Sequence, residues 1–168
     1  VIGSNGIIGY HDEYTTDTPG VSIGRSGNTG KPFICYEKSW SHNTCLYIKE
    51  YYNADPVFMY YFLQTLSLDN YAGGSAVPTL NRNHVHCLRV RTPYLSEQRA
   101  IATILSCLDD KIELNNRINA NLEAQAQAIF KSWFVDFEPF QDSEFVDSEL
   151  GRIPKGWRVG VLDECIEL

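Results

Sequence analysis

The residues best equipped for chemistry cluster first in Gly24-Arg25-Ser26-Gly27-Asn28-Thr29-Gly30-Lys31, where three glycines alternate with cationic and short polar side chains. A nucleotide-binding P-loop would need Ser or Thr after the lysine, but Pro32 stands there, and Arg25 falls where its first glycine belongs. As a loop facing nucleic acid the segment works better. Its glycines let the backbone approach closely, and its amides can donate to phosphate. Arg25, Ser26, Asn28, Thr29 and Lys31 can then reach phosphate oxygens or base edges. The plainer reading of the same residues is a tight hairpin loop, and the two are compatible.

A second polar stretch, from Ser75 to Asn83, offers Ser75, Thr79, Asn81 and Arg82 around a bend fixed by Pro78. Short donors and one guanidinium suit a phosphate backbone or base edges; a solvated loop is the alternative. His42, Cys45, His84, His86 and Cys87 raise a zinc question. They lack the paired Cys-x-x-Cys or spaced His-His pattern of a structural site, so no metal and no cofactor are expected. There is no G-x-S-x-G elbow, no Asn-Pro-Pro-Tyr run and no carboxylate pair beside a metal motif, so no catalytic residue is assigned.

The elements that must position these loops read as mixed α/β over the first 95 residues. Strands are expected at Gly6–Tyr10, Val21–Gly24, Phe33–Tyr36, Thr44–Ile48 and Val85–Val90, each bounded by turn formers. Asp55-Pro56 supplies an N-cap and a first-turn proline. Val57, Phe58, Tyr61, Phe62 and Leu66 follow at helical spacing. Gly73 to Pro78 should be an exposed loop.

From Ser96 the pattern changes to one long helix. Ile101, Leu105, Leu108, Ile112, Asn115, Asn119, Leu122, Ala126, Ile129 and Trp133 recur at steps of four and three, with no Gly or Pro between Ser96 and Glu138. About thirty-eight helical residues would reach roughly 57 Å, too long to bury the seam on the preceding domain alone. The seam therefore asks for another helix. Asn115 and Asn119 either fix its register at a cost in stability or face solvent where the helices diverge. The group Trp133-Phe134-Val135-Asp136-Phe137 suits either a docking anchor or a cap packed on its own domain.

Bulk properties bound these readings. With 43% hydrophobic and 21% charged residues the chain is an ordinary globular sequence without a membrane span or signal peptide. Five cysteines without a CxxC pair fit a reducing, cytoplasmic setting. Val1 in place of Met reads as a missing or processed start. The net charge of −7 argues at face value against a nucleic-acid binder. Residues 1–95, however, hold seven basic and seven acidic residues, and residues 96–168 hold seven and fourteen, so the acidity sits in the helix and tail.

The helix carries a specific resemblance. Pro93-Tyr94-Leu95-Ser96-Glu97-Gln98-Arg99-Ala100-Ile101-Ala102, Leu108-Asp109-Asp110-Lys111-Ile112, Asn121-Leu122-Glu123 and Ala126 through Phe137 resemble the helix of type I restriction–modification specificity subunits. The tail Glu149-Leu150-Gly151-Arg152-Ile153-Pro154-Lys155-Gly156-Trp157 looks like the start of that family's target-recognition domain, and 23–30 and 74–80 are similar to its second half.

The resemblance implies an α/β (mixed α+β) target-recognition domain over 1–95, then a coiled-coil-type spacer helix over 96–138. An acidic linker over 139–149 and the beginning of a second or completing recognition segment over 150–168 would follow. It implies a non-catalytic subunit that binds double-stranded DNA at one half of a split site. Methyltransferase subunits, and through them restriction subunits, would be its partners, with a homodimer through the long helix as a further option. Adenine methylation and ATP-dependent cleavage would belong to the complex. The competing expectation is a protein-interaction fragment that mimics or regulates assembly without touching DNA. The tail is expected to complete a recognition domain in the same chain or a second copy.

Overall fold

The computed structural model describes residues 1–74 and 77–166, and the chain divides into two compact units, Val1–Asp110 and Lys111–Leu168. The first unit is built on short antiparallel pairings. Strands β1 (Ile2–Gly3) and β2 (Gly6–Ile7) form a minimal hairpin, so the expected strand at 6–10 pairs over only two residues. Strands β3 (Gly20–Gly24), β4 (Pro32–Cys35) and β5 (Cys45–Tyr47) make a three-stranded sheet in the order β4-β3-β5. β3 is buried along its whole length, as a central strand covered on both faces must be.

Helix α1 (Pro56–Gln64) starts where the sequence places it: the Asp55 side chain accepts from the Phe58 amide at 3.0 Å, and proline occupies the first turn. It brings Leu63 against Val21 and Ile23 of the sheet. Leu68 and Leu80 complete this core, with Ile34, Leu46, Met59, Val85 and Leu88 packed around it. A one-turn 3-10 segment (Leu68–Tyr71) leads to β6 (Ala72–Gly73), which pairs with β7 (Thr79–Leu80).

The expected strand at Val85–Val90 is absent. Residues Arg82–His86 form a short helix, α2, capped by the Asn81 side chain, which accepts from the Asn83 amide at 2.9 Å. The short run Val85-His86-Cys87-Leu88, flanked by Asn83 and Pro93, reads as strand. The cap wins locally, and Val85 and Leu88, three apart, both reach the core from a helical turn. His84 and His86 consequently do not share a face.

Helix α3 (Leu95–Phe134, 40 residues) matches the long helix in kind and nearly in extent. Its start lies in the first unit, where Gln98 and Ala102 are buried. Glu97 accepts from the Tyr94 amide at 3.1 Å, one half of a capping box whose other half a tyrosine cannot supply.

In the second unit the helix ends at Phe134, and three residues on a left-handed Phe137 (φ 55°) leads into a 3-10 turn over Glu138–Phe140. The acidic stretch then enters a hairpin of β8 (Phe145–Ser148) and β9 (Gly151–Pro154), so part of the expected linker is strand. Trp157 packs on Phe134, Phe137 and Phe140 at ring-centroid distances of 6.1, 5.2 and 5.7 Å. The aromatic helix end is thus engaged by its own unit. No helix among the described residues is long and apolar enough to cross a membrane.

Candidate nucleic-acid interface

The two polar loops, some fifty residues apart in sequence, are joined in space. Ser26 bridges Thr79 in antiparallel fashion, and the Leu80 amide donates to the Arg25 carbonyl at 2.8 Å. The Thr29 hydroxyl donates to the Pro78 carbonyl at 3.1 Å. From the other side, the Thr44 carbonyl at the head of β5 accepts from the amides of Arg25 (2.8 Å) and Ser26 (3.3 Å). Both backbone groups of Arg25 are therefore committed to the scaffold, while its side chain is exposed.

Glycine is demanded at two positions of the first loop. A Cβ on Gly24 would lie 1.9 Å from the Asn28 carbonyl oxygen, inside the turn that the Gly30 amide closes onto the Gly24 carbonyl at 2.8 Å. Gly30 adopts φ +80°, and a Cβ there would sit 2.4 Å from the backbone nitrogen of Asp69. The loop is thus a hairpin connection pressed against the 3-10 segment, with Arg25 and Lys31 left exposed and Ser26, Asn28 and Thr29 half-buried.

Where the loops meet, Arg25, Thr79, Asn81, Arg82 and His84 line a cavity of about 580 Å³. The Asn81 side-chain oxygen is occupied by the Asn83 amide, which leaves its NH₂ as the group on offer. His84 Nδ1 lies 3.1 Å from the Tyr71 carbonyl. A carbonyl only accepts, so Nδ1 carries hydrogen, and Nε2 is an acceptor when neutral and a donor when protonated. The four ion pairs among the described residues are local ones elsewhere in the chain. None engages Arg25, Lys31 or Arg82. The surface accordingly presents two uncompensated guanidiniums, an amide, a hydroxyl and an imidazole, a set suited to phosphate oxygens and to base edges.

Not every expected residue lies there. Lys31 and Thr29 line a neighbouring cavity of about 390 Å³ with Gln64, Ser67 and Asp69. Asn28 is half-buried in the turn, and Ser75 falls outside the described residues. His84 was missed as a member of this surface because a strand reading separated it from Arg82; the Asn81 cap was the signal that would have joined them.

The remaining His and Cys residues do not converge. His42 pairs with the Thr44 hydroxyl at 3.1 Å and Cys45 is buried. Among the described residues no group of three or more His, Cys, Asp or Glu could hold a metal ion.

Along α3, nine of the ten assigned seam residues are exposed and Leu105 is half-buried. Ile101, Leu108, Ile112, Leu122, Ile129 and Trp133 stand 39–57% open. Leu114 and Ile118, outside the assigned seam, are equally exposed. Together with Leu122 they continue at steps of four along one side of the helix, which takes the apolar face past Asn115 and Asn119.

A family model for the type I restriction modification DNA specificity domain matches residues 2–124, which takes in both loops and the first three-quarters of α3. The type I restriction enzyme MjaIX specificity subunit of Methanocaldococcus jannaschii is 39% identical over 117 residues, 66% of this chain and 27% of that protein. The type I restriction enzyme HindI specificity subunit of Haemophilus influenzae is 50% identical over 62 residues, 37% of this chain and 14% of its own length. The chain thus spans about a quarter or less of the curated relatives it matches. Because the match covers well over half of the sequence, the chain belongs to the type I restriction modification DNA specificity domain family.

Proposed function

We propose that this chain is a non-catalytic DNA-reading part of a type I restriction–modification specificity subunit. It holds one half of a split double-stranded site with the joined loops at 25–31 and 77–84. The observation that carries this reading is the backbone stitching of the two loops, Ser26 to Thr79 and Arg25 to Leu80, which gathers Arg25, Asn81 and Arg82 on one uncompensated surface. Methyltransferase subunits, and through them restriction subunits, are the partners this role requires. The exposed seam of α3 is the surface for pairing with another helix, from the same full-length subunit or a second copy.

Arg25→Ala and Arg82→Ala test the reading in the assembled methyltransferase complex. An arginine on phosphate lowers the slope of log K against log salt by about 0.9 when removed and weakens all sequences alike. An arginine on a base leaves that slope nearly unchanged and costs about 1–3 kcal/mol at one base position. Unaltered binding and methylation in both variants would sink the assignment of these loops. Absence of salt-dependent DNA binding in the unmodified protein would instead favour a fragment that acts only through protein contacts.

A further inference from the structure

The polar group most completely enclosed in the first unit lies far along the sequence from the reading loops. Gln98, in the first turn of α3, is 2% exposed, yet its amide is fully used. Oε1 accepts from the Asp55 amide at 2.9 Å, and Nε2 donates to the carbonyls of Pro93 (2.9 Å) and Asn53 (3.3 Å). All three partners are backbone. One side chain thereby ties the start of α3 to the chain just before it and to the residue that caps α1. About three turns further on, the Tyr61 hydroxyl of α1 donates to Asp109 of α3 at 2.7 Å.

Eleven residues separate these anchors on α3, about 16 Å of helix. One anchor would leave α3 free to swing about a point. Two, both on α1 and its cap, fix the direction and rotation of α3 over residues 98–109, within the first unit. We infer that Gln98 and the Tyr61–Asp109 pair are positioning residues that set the angle at which α3 leaves the reading domain. Gln98 acts through backbone groups and touches no DNA-facing residue. In its consequence for DNA the inference rests on the function proposed above: a half-site reader held at a fixed angle tolerates only a narrow range of half-site separations.

The decisive experiment compares the full chain with Gln98→Met, which keeps length and apolar bulk but loses every hydrogen bond, and with Tyr61→Phe, which removes only the outer anchor. Non-natural spin labels at the exposed positions Asn5 and Glu113 report a distance distribution without DNA. In the methyltransferase complex, duplexes with the half-site spacing lengthened or shortened by one base pair report spacing discrimination.

Both variants should broaden the distance distribution, Gln98→Met more, and should lose discrimination between spacings while keeping half-site base preference. A distribution as narrow as the parent's in both variants overturns the inference. So does a loss of base preference at every spacing, which would make Gln98 a support of the loops themselves. If Gln98→Met does not fold, Tyr61→Phe decides, because its hydroxyl is at the surface. If the parent chain shows no sequence-selective binding, the proposed function fails, and the distance measurement still decides the joint.

Discussion

Gly30→Ala isolates the claim that the loop at 24–31 is clamped by close backbone approach. Two costs add at this position. An alanine at φ +80° carries the left-handed penalty of about 1–2 kcal/mol. Its Cβ would also lie 2.4 Å from the Asp69 nitrogen and 2.8 Å from the Leu68 carbonyl carbon, so backbone rather than a flexible side chain must move. Leu68 is 1% exposed in the core, and overpacking of that kind costs about 1–3 kcal/mol. The lower entropy of the unfolded alanine chain returns about 0.4–1 kcal/mol, which leaves a net loss of about 2–4 kcal/mol.

Gly27→Ala is the internal control. Its φ is +85°, but the new methyl meets only the Ser4 hydroxyl at 3.2 Å, so about 1 kcal/mol is expected. Gly9→Ala meets nothing within 4 Å and should stay within about 0.5 kcal/mol of the parent. Urea melts followed by Trp40 fluorescence, in a background with Trp133→Phe and Trp157→Phe, read the first unit alone. At an m-value of about 1–3 kcal/mol/M the Gly30→Ala midpoint should fall by about 1–2 M with m unchanged. A loss for Gly30→Ala no larger than that for Gly27→Ala would refute the close-approach argument.

Ile112→Asp should leave the isolated fold nearly unchanged, since Ile112 is 57% exposed, but should abolish helix pairing in sedimentation velocity; an unaltered assembly counts against the seam. Tyr61→Phe should flatten part of the alkaline decline in stability. Desolvation first, then the hydrogen bond to Asp109, push the Tyr61 phenol well above its ordinary value near 10. A raised folded pKa means the stabilisation is whole below the unfolded value and is lost as pH climbs through and past it. Tyr36, Tyr51 and Tyr60 are raised as well, each mainly by burial, so some slope should survive the substitution. Identical stability–pH curves for parent and Tyr61→Phe from pH 8 to 11 would contradict the hydrogen-bonded phenol.

What could be read in advance was local. Asp55-Pro56 announces a cap because an Asx side chain and a prolyl ring act on their own neighbours, and α1 begins there. The pairing of 20–24 with 32–35 is a hairpin whose glycine-rich loop is contiguous in sequence, and the length of α3 follows from an uninterrupted period. What escaped was either ambiguous in period or long-range. Val85 to Val90 is too short and irregular a run to give a clear period, and only the reach of Asn81 to Asn83 decides for helix. The hairpin at 145–154 hides in an acidic stretch because its pairing depends on the positive φ of Gly151 (+102°) rather than on apolar alternation. The meeting of Ser26 with Thr79, and of Gln98 with Asn53 and Asp55, joins residues more than forty apart. No periodicity reports such contacts.

The division of labour between backbone and side chain is what makes the DNA-facing surface proposed above compatible with an acidic chain. At the reading loops the scaffold is held by main-chain groups: Arg25 N–H to Thr44, Leu80 N–H to Arg25, Gly30 N–H to Gly24. At the helix joint Gln98 likewise binds only main chain. Side chains at positions 25, 79, 81 and 82 can therefore change without dismantling either the loop pairing or the joint, apart from the cap that Asn81 gives α2. The acidic excess lies in residues 96–168, beyond the loops. Among the described residues neither Arg25 nor Arg82 pairs with a carboxylate, so no contact ion pair cancels the charge of these two guanidiniums, whatever the sign of the whole chain's charge.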